Sequence, residues 1–284
     1  MNVLYSAPGS GLGHLHRAVA LCLELQYRGV KTQIVTNSPF APALARLARV
    51  PITGIATERW RDDVRACAAS LRPDLLICDT FPHGMRGEWR QGFPAPAVYL
   101  ARRLNDAAVA QTIPAPLRSD SFVLTIILEP LSAAHHAVIG RPLLELPGPI
   151  RLAPGAIPAP VPPALDRLLD SGRAALVIHS GPPPELEQLI STAQGRGPLA
   201  VVSPWSAFDY YPATNLIERA AHIVTAAGYN AMADALPYCS RHTAIPFPRT
   251  FDDQHARLAS WRNLPSTSGN PQAAAAIVDI LQSL

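Results

Sequence analysis

Short apolar runs alternate with segments of helical periodicity along most of this 284-residue chain. An opening run at 3–5 predicts a first strand, and apolar residues spaced three and four apart from Leu15 to Leu25 predict the helix that follows. The same alternation predicts strands at 31–36, 52–55, 74–78, 97–100 and 122–127, and helices at about 40–49, 60–71 and 104–111. Such alternation is typical of a parallel sheet covered by helices on both faces.

The alternation is interrupted between Pro142 and Pro163, where eight prolines fall within 22 residues. Proline lacks the backbone N–H that a helix interior or a central strand needs, so this segment predicts a stiff linker. The pattern then resumes, with predicted strands at 174–179, 199–203, 222–225 and 242–245 and helices at 164–170, 184–194, 213–220, 229–237 and 252–261. A last helix, about 271–283, is too apolar on one face to stand free.

This pattern divides the chain into four parts. Residues 1–145 form a first Rossmann-like domain, 146–163 the proline-rich linker, 164–270 a second Rossmann-like domain, and 271–284 the last helix. Two such domains create a cleft between the carboxyl edges of two sheets, which is where open α/β sheets bind ligands.

The junction between the first strand and its helix is a loop with Gly9, Gly11 and Gly13. The amino end of a helix favours an anion, so a dinucleotide is the first candidate. However, the glycines read G-x-G-x-G, and His14 occupies the place of the third fingerprint glycine. The next predicted strand ends in Asn37 rather than in the carboxylate that would hold a ribose hydroxyl. We interpret the loop as one that presents His14.

Composition narrows the class of protein. The net charge of +3 is small and the charged residues are scattered, so the sequence does not predict a nucleic-acid-binding face. Lys31 is the only lysine, which we attribute to genome composition, although Arg102-Arg103 is a candidate phosphate contact. The four cysteines show no C-x-x-C pairing and predict free thiols in a reducing cytosol. No apolar run is long enough for a membrane span, so we expect a soluble cytoplasmic protein, and nothing supports a membrane-surface contact.

The second predicted domain repeats the strand, small-residue turn and helix at 225–230. This turn is a second candidate anion site. Asp234, one helical turn later, and the run Asp252-Asp253-Gln254 add groups that bind hydroxyls. Phosphate and hydroxyl sites together indicate a nucleotide sugar as the ligand.

Two stretches carry a family resemblance, GSGLGHLHRAVAL at 9–21 and IVTAAGYNAMADALPYCSRHTAIPFPRTFDDQHARLAS at 223–260. They resemble GT-B glycosyltransferases of the peptidoglycan N-acetylglucosaminyltransferase type and related predicted bacterial glycosyltransferases. The resemblance implies an α/β, GT-B-like fold, with two Rossmann-like domains whose parallel sheets face each other across a cleft. It also implies a last helix that docks back on the first domain. The chain departs from the family at Ala231, at Asp234, where the family has Glu, and at 239–241, where the family has Gly-x-Pro.

The resemblance implies a metal-independent transferase of the hexosyltransferase type, with no cofactor. Its donor is a UDP-linked sugar bound by the second domain, and its acceptor is a hydroxyl of unknown identity near His14. The donor-binding residues predicted for this reaction are Ser180, Gly181, Gly228, Tyr229, Asn230, Asp234, Asp253 and Gln254. Two alternatives stay open: a UDP-sugar hydrolase that uses His14 on water, and a non-catalytic relative that binds a nucleotide or a partner.

His14 is the candidate general base. A helix amino terminus disfavours the imidazolium, so a neutral ring there can accept a proton from a hydroxyl. Asp79 follows the apolar strand and either orients His14, binds the acceptor or forms a turn. Arg17, on the same helix face as His14, is predicted to bind phosphate or substrate together with Gly11 and Gly13. The alternative for His14 is a ring that only caps the helix or packs. His135, His136 and His179 lack partners at zinc-ligand spacing.

Overall fold

A computed structural model describes residues 1–9, 11–118, 121–261 and 264–284. The chain forms two compact units. Unit 1 comprises Met1–Arg151, Arg249–Asp253 and Thr267–Leu284, and unit 2 comprises Leu152–Pro248 and Gln254–Ser266. Each unit is built on one parallel sheet, which confirms the predicted α/β class with two parallel-sheet domains.

Unit 1 alternates strands and helices along the chain. Its strands are β1 (Asn2–Ala7), β2 (Lys31–Thr36), β3 (Ile52–Gly54), β4 (Leu75–Asp79), β5 (Ala97–Ala101), β6 (Leu124–Ile127) and β7 (Leu143–Glu145). Its helices are α1 (Gly13–Tyr27), α2 (Ala41–Leu47), α3 (Trp60–Leu71), α4 (Asp106–Thr112), α5 (Ala133–Val138) and, after unit 2, α11 (Asn270–Ser283).

The sheet of unit 1 has the order β3-β2-β1-β4-β5-β6-β7, and all neighbours are parallel. All residues of β4 and β5 are buried, as expected for central strands with helices on both faces. The edge strands β3 and β7 carry no buried residue. Because β1 is followed in sequence by β2 on one side and joined by β4 on the other, the strand order reverses between β1 and β4. That point is where open α/β sheets bind ligands.

Unit 2 is smaller and follows the same plan. Its strands are β8 (Ala175–Ile178), β9 (Leu199–Val202), β10 (His222–Ala226) and β11 (His242–Ile245), in the parallel order β11-β10-β8-β9. Its helices are α6 (Pro163–Asp170), α7 (Pro183–Ala193), α8 (Thr214–Ile217), α9 (Tyr229–Ala235) and α10 (Gln254–Ser260).

Side chains of β8 alternate between two apolar cores, one on each face of the sheet. Leu176 packs in a core that includes Leu165 and Leu216, whereas Val177 packs in a core that includes Leu186 and Leu189. This alternation follows from the two-residue period of a strand.

The proline-rich segment contains buried apolar residues. Ile150, Leu152 and Ile157 within it are 0–2% exposed, so the segment packs as part of the two units. Asn215 accepts a hydrogen bond from the N–H of Gly155 and donates one to the carbonyl of Ile157, which fixes the segment on unit 2. Prolines here occupy irregular backbone, where a missing N–H leaves no ladder position empty.

Two elements of unit 1 were missed by the sequence pattern. Strand β7 lies at the sheet edge directly after Pro142, a position that tolerates proline because the outer side of an edge strand needs no ladder bond. Helix α5 has only six residues, too few for a helical period to be recognised. Its start is set by Ser132, whose hydroxyl accepts from the N–H of His135.

The last helix packs against the first one within unit 1. Ala273, Ala274, Ile277 and Leu281 are buried on the face of α11 that meets α1. Asn270 fixes the start of α11: its amide donates to the carbonyls of Ala20 and Arg151 and accepts from the N–H of Arg151.

The longest helices of the described ranges are α1, with 15 residues, and α11, with 14. No helix within those ranges is both long and apolar enough to cross a lipid bilayer.

Replacing Asn270 by Ala should destabilise unit 1. The change removes the hydrogen bonds to the half-buried backbone of Arg151 and to the carbonyl of Ala20, and we expect the free energy of unfolding to fall by about 2–3 kcal/mol. Urea unfolding followed by circular dichroism measures this, with Gln272→Ala, an exposed change on the same helix, as the control. Equal stability of the two variants would contradict the role given to Asn270.

Candidate active site

The carboxyl ends of β1 and β4 bring two predicted residues together. The two strands are direct neighbours, with Ser6 opposite Cys78. His14 is the second residue of α1, which begins after the glycine loop at the end of β1, and Asp79 is the last residue of β4. His14 and Asp79 therefore meet at the point where the strand order of unit 1 reverses.

Asp79 is held by two residues of α1. Nδ1 of His14 lies 3.2 Å from Oδ2 of Asp79. Nη2 of Arg17 donates to Oδ1 at 2.6 Å and to Oδ2 at 2.8 Å, and its Nε donates to Oδ1 at 3.2 Å. Since His14 and Arg17 are three residues apart on one helix face, both reach the same carboxylate.

Asp79 is ionised in this setting. Burial by itself favours the neutral acid, but the charge of Arg17, followed by His14, holds the pKa of Asp79 well below its usual range. An ionised carboxylate only accepts hydrogen bonds, so the proton of the His14 ring is on Nδ1.

His14 is neutral near pH 7 and carries a lone pair on Nε2. Burial lowers the pKa of His14 below the usual histidine value, and Asp79 offsets only part of this effect. Within the described residues, the polar contacts of the His14 ring involve Nδ1 alone: its proton goes to Oδ2 of Asp79, and Nη2 of Arg17 lies 3.5 Å away. The His14 side chain is 19% exposed, whereas that of Asp79 is fully buried. The pair thus leaves Nε2 as the basic nitrogen of a side chain that is only partly buried.

The glycine loop is shaped around the His14 ring. A Cβ on Gly9 would lie 2.7 Å from Cδ2 of His14, which is closer than real contacts allow. The N–H of Gly9 donates to Oδ1 of Asn37 at 2.7 Å, and the hydroxyl of Ser38 donates to the carbonyl of Gly11 at 2.8 Å. Asn37 was the residue that argued against a dinucleotide-binding site in the sequence analysis. In the structure it anchors the loop that carries His14.

Thr80 has an unusual backbone conformation directly after Asp79. Its φ is +67°, a left-handed value that is unfavourable for a β-branched residue and costs about 1–3 kcal/mol. The Thr80 hydroxyl donates to Oδ1 of Asp79 at 3.0 Å and accepts from Nη2 of Arg17 at 3.2 Å. Thr80 therefore belongs to the same buried network as the His14–Asp79 pair.

Tyr99 and His135 support this network from β5 and α5. The Tyr99 hydroxyl donates to the carbonyl of Thr80 at 3.0 Å and lies 3.1 Å from Nε2 of His135. Because the single phenolic proton goes to the carbonyl, Nε2–H of His135 donates to the Tyr99 oxygen. Burial, followed by the charges of neighbouring His136 and Arg102, lowers the pKa of His135 to about 4. Within the described ranges, no three His, Cys, Asp or Glu side chains are grouped as metal ligands.

An aromatic wall and an ion pair complete this part of unit 1. Phe81 stacks on the His14 ring with centroids 5.9 Å apart, and Phe251 meets Phe81 edge-on at 5.3 Å. Arg102 pairs with Asp252 at 2.8 Å, with both side chains about one-tenth exposed. Arg102 is therefore engaged by a carboxylate, and its suggested contact with phosphate stays a prediction.

Three predicted substrate contacts of unit 1 have different surroundings. Arg17 is 2% exposed and its guanidinium donates to Asp79, and its predicted contact with phosphate or substrate stays a prediction. Gly11 and Gly13 are exposed in the loop and at the first position of α1. Their predicted contact with substrate stays a prediction.

In unit 2, the predicted anion site is the turn between β10 and α9. Gly228 caps α9 with φ −69° and ψ 150°, values open to any residue. The turn is anchored by Arg257, which is 0% exposed and donates to the carbonyl of Ala227 at 3.2 Å. Gln254 is 4% exposed, accepts from the N–H of Phe247 at 3.0 Å and lies near Gly228. Gln254 therefore supports the turn from inside the unit.

The other predicted donor-binding residues differ in how far they are buried and in the unit to which they belong. Tyr229 is 3% exposed and packs edge-on against Trp261, so its ring serves the core. Asn230 and Asp234 are half-buried on α9. Burial raises the pKa of Tyr211, and the nearby carboxylate of Asp234 raises it further. Asp253 is half-buried, and the structure groups it with unit 1 rather than with the predicted donor domain.

The loop after β8 holds Ser180 and Gly181. Ser180 is exposed, and a Cβ on Gly181 would lie 2.6 Å from Nε2 of His179. The indole N–H of Trp205 donates to the carbonyl of Gly181 at 2.9 Å, while the Trp205 side chain is 61% exposed. Trp205 was not singled out by the sequence, since a lone aromatic residue in a loop carries no pattern.

The sequence also missed most of the supporting network. Thr80, Tyr99 and Arg257 occur in segments whose local pattern indicates only a strand end, a buried strand and a helix. A threonine directly after a predicted catalytic carboxylate was the one available signal. Its left-handed φ cannot be recognised from the residue type, because β-branched residues disfavour that conformation.

No family model and no curated protein matches the sequence. Solved structures do match along the whole chain. SnogD, a glycosyltransferase from Streptomyces nogalater, has a TM-score of 0.56 at 17% identity and covers 99% of this chain and 99% of its own. SsfS6, a glycosyltransferase of Streptomyces sp. SF2575, has a TM-score of 0.56 at 14% identity, covering 100% and 96%.

The glycotransferase of kitacinnamycin gives the same TM-score of 0.56 at 13% identity, covering 99% of this chain and 90% of its own. At such identities the likeness establishes the fold alone. The chain therefore has a GT-B-like fold, as predicted. The narrower resemblance to the peptidoglycan N-acetylglucosaminyltransferase type stays a prediction.

Gly9→Ala should displace the His14 ring, because the added Cβ would overlap Cδ2 of that ring. We expect the hydrogen bond from Nδ1 to Asp79 to be lost and the ring nitrogens to change their 15N chemical shifts. Gly11→Ala is the matched control, since a Cβ there meets nothing within 4 Å. Identical His14 spectra in both variants would show that Gly9 does not shape the site.

His135 should make unit 1 sensitive to acid. Its pKa is about 4 in the folded protein and about 6.5 when unfolded, so the unfolded chain binds a proton that the folded chain excludes. The stability is complete above about pH 6.5 and is lost as the pH falls, by about 3 kcal/mol at pH 4. Urea unfolding at pH 7 and pH 4 should show a smaller loss in His135→Gln than in the wild type. The exposed His255→Gln change is the control, and equal losses in all three proteins would refute the assignment.

Proposed function

We propose that the protein is a glycosyltransferase that moves a sugar from a UDP-linked donor to an acceptor hydroxyl, with His14 as the general base. The observation that carries the proposal is the His14–Asp79 pair, in which Nδ1 is engaged by a buried carboxylate and Nε2 is left basic. The GT-B-like fold, shared with solved proteins named as glycosyltransferases, supports the same reaction class.

The chemistry follows from the protonation states of the pair. Nε2 of His14 accepts the proton of the acceptor hydroxyl as its oxygen forms a bond to the anomeric carbon. The bond from that carbon to the donor phosphate breaks, and UDP departs with the electron pair. Asp79 keeps the Nδ1–H tautomer and stabilises the imidazolium that forms, in the manner of the carboxylate in a catalytic triad.

A ring that only capped the helix or packed would not explain these contacts. A histidine of that kind needs no ionised carboxylate beneath it, and burying a carboxylate is costly unless a cation is supplied as well. Here Arg17 supplies that cation, and Asp79 still directs Oδ2 at His14. The arrangement favours catalysis over packing.

The donor is assigned to unit 2, at the turn that opens α9. The amino end of a helix favours the diphosphate, which gains negative charge as the sugar leaves, so the reaction is proposed to need no metal. Asp234 is proposed to bind the ribose hydroxyls. The support of the turn by Arg257 and Gln254 favours binding through the backbone of Gly228 and its neighbours.

His14→Ala should lower the turnover number by about 100-fold or more, the range of a positioned general base. The affinity for UDP should be nearly unchanged, because the donor is assigned to unit 2. In the wild type, kcat/KM should fall on the acid side with an apparent pKa below the ordinary histidine value, since burial lowers the pKa of His14. The measurement is UDP release from a panel of UDP-sugars, with and without acceptor alcohols, and His136→Ala is the exposed control.

The same assay separates the alternatives. Stoichiometric free sugar without any acceptor would replace transfer by hydrolysis. Absence of heat in calorimetry and of a thermal shift at millimolar UDP would refute both enzymatic reactions. A fully active His14→Ala enzyme with an unaltered acid limb would refute His14 as the base.

A further inference from the structure

Among the described non-glycine residues with a left-handed backbone conformation, Thr80 is the one whose side chain disfavours that conformation most. The non-glycine residues with positive φ in that part are Arg49, Arg72 and Thr80. Arg49 and Arg72 are exposed and unbranched at Cβ, and Arg72 only ends α3. Thr80 is β-branched and 0% exposed, so its conformation is maintained by its surroundings.

The conformation changes what the Thr80 side chain can reach. In an extended strand, consecutive side chains point to opposite faces, so those of Asp79 and Thr80 would separate. With φ at +67°, the Thr80 hydroxyl instead returns to within 3.0 Å of Oδ1 of Asp79. Oδ1 of the carboxylate thereby meets Thr80 and Arg17, while Oδ2 accepts from Arg17 and is also directed at Nδ1 of His14.

The backbone of Thr80 is held on both sides. Its N–H donates to the carbonyl of Leu100 at 3.0 Å, and its carbonyl accepts from the Tyr99 hydroxyl at 3.0 Å. Nε of Arg102 also reaches the Thr80 hydroxyl at 3.4 Å. Leu100 and Tyr99 of β5 therefore stabilise a conformation that Thr80 by itself disfavours.

We propose that Thr80 is a positioning residue for His14: its left-handed backbone and hydroxyl fix the Asp79 carboxylate so that Oδ2 holds the Nδ1–H tautomer of His14. The inference rests on the proposed function only for its effect on turnover. Thr80 is buried and acts through Asp79, without contact with substrate.

The charged and titratable groups around His14 set the direction of the effect. They are Asp79 from β4, Arg17 from α1 and Arg102 after β5, and the Phe81 ring stacks on the imidazole. Removal of the Thr80 hydroxyl takes a hydrogen-bond donor from the carboxylate. Asp79 then stabilises the imidazolium more strongly, so the pKa of His14 rises, while the freed carboxylate orients the ring less well.

The test compares Thr80→Val, which keeps the shape and loses the hydroxyl, with Thr80→Ser, which keeps the hydroxyl. Thr125→Val is the matched control, because Thr125 is buried in β6 of the same sheet and its hydroxyl has no hydrogen-bond partner among the described residues. The first readout is the 15N NMR titration of His14 without any substrate, with the signal assigned by its loss in His14→Gln.

In Thr80→Val we expect the His14 pKa to rise by about half a unit to one unit and the Nδ1–H tautomer population to fall. Turnover should fall about 10-fold, while KM for the UDP-sugar stays within about 2-fold, and Thr80→Ser should restore both readouts. Tyr99→Phe, which removes the donor to the Thr80 carbonyl, should shift the His14 signal in the same direction. It provides the measurement if Thr80→Val does not fold.

An unchanged His14 titration in folded Thr80→Val and Tyr99→Phe would overturn the proposal, and so would an equal change in Thr125→Val. A shifted titration in a protein that transfers no sugar would uphold the positioning role and refute the proposed function. Active transfer with an unshifted titration would do the reverse.

Discussion

The buried ion pair between Arg17 and Asp79 is the interaction on which the candidate site depends. A carboxylate at the carboxyl end of a central strand cannot be buried in ionised form without a cation that satisfies it, and Arg17 supplies three hydrogen bonds. The pair arranges the site more than it stabilises the fold, because the attraction between two buried charges is largely offset by the cost of removing them from water. Its consequence is an Asp79 that is ionised at neutral pH, and that ionisation decides the tautomer of His14.

The backbone near the candidate site departs from regular structure at two positions. Gly9 has no side chain where the His14 ring lies, and Thr80 turns left-handed where Asp79 needs a second donor. Both irregularities are stabilised by neighbours with regular structure, Asn37 at the end of β2 and Tyr99 in β5. Strain of this kind concentrates at functional sites, where surrounding packing compensates for it.

Unit 2 uses its polar residues differently. Gln254 was a candidate for ligand contact in the sequence and Arg257 was not singled out there, and both are buried and hold the turn between β10 and α9. A buried guanidinium that donates to the Ala227 carbonyl fixes the path of the chain immediately before Gly228. The turn then offers backbone geometry rather than side chains, which is the manner in which helix amino ends accept phosphate in general.

The spacing of apolar residues in the sequence was enough to predict the features that depend on burial within a single strand or helix. Strand 31–36, helix 60–71 and strand 242–245 were predicted to the residue, because apolar spacing reports directly which face meets the core. Histidine 14 was found from its place after a glycine loop, and Asp79 from its place after an apolar strand. Short or proline-flanked elements, α5 and β7, carry too little pattern. The tertiary structure alone decided that Arg17 turns inward to Asp79, 62 residues away, and that Thr80 is held left-handed by Tyr99. Such partners are set by which strands lie side by side in the sheet, and the spacing of residues along one element contains no record of that.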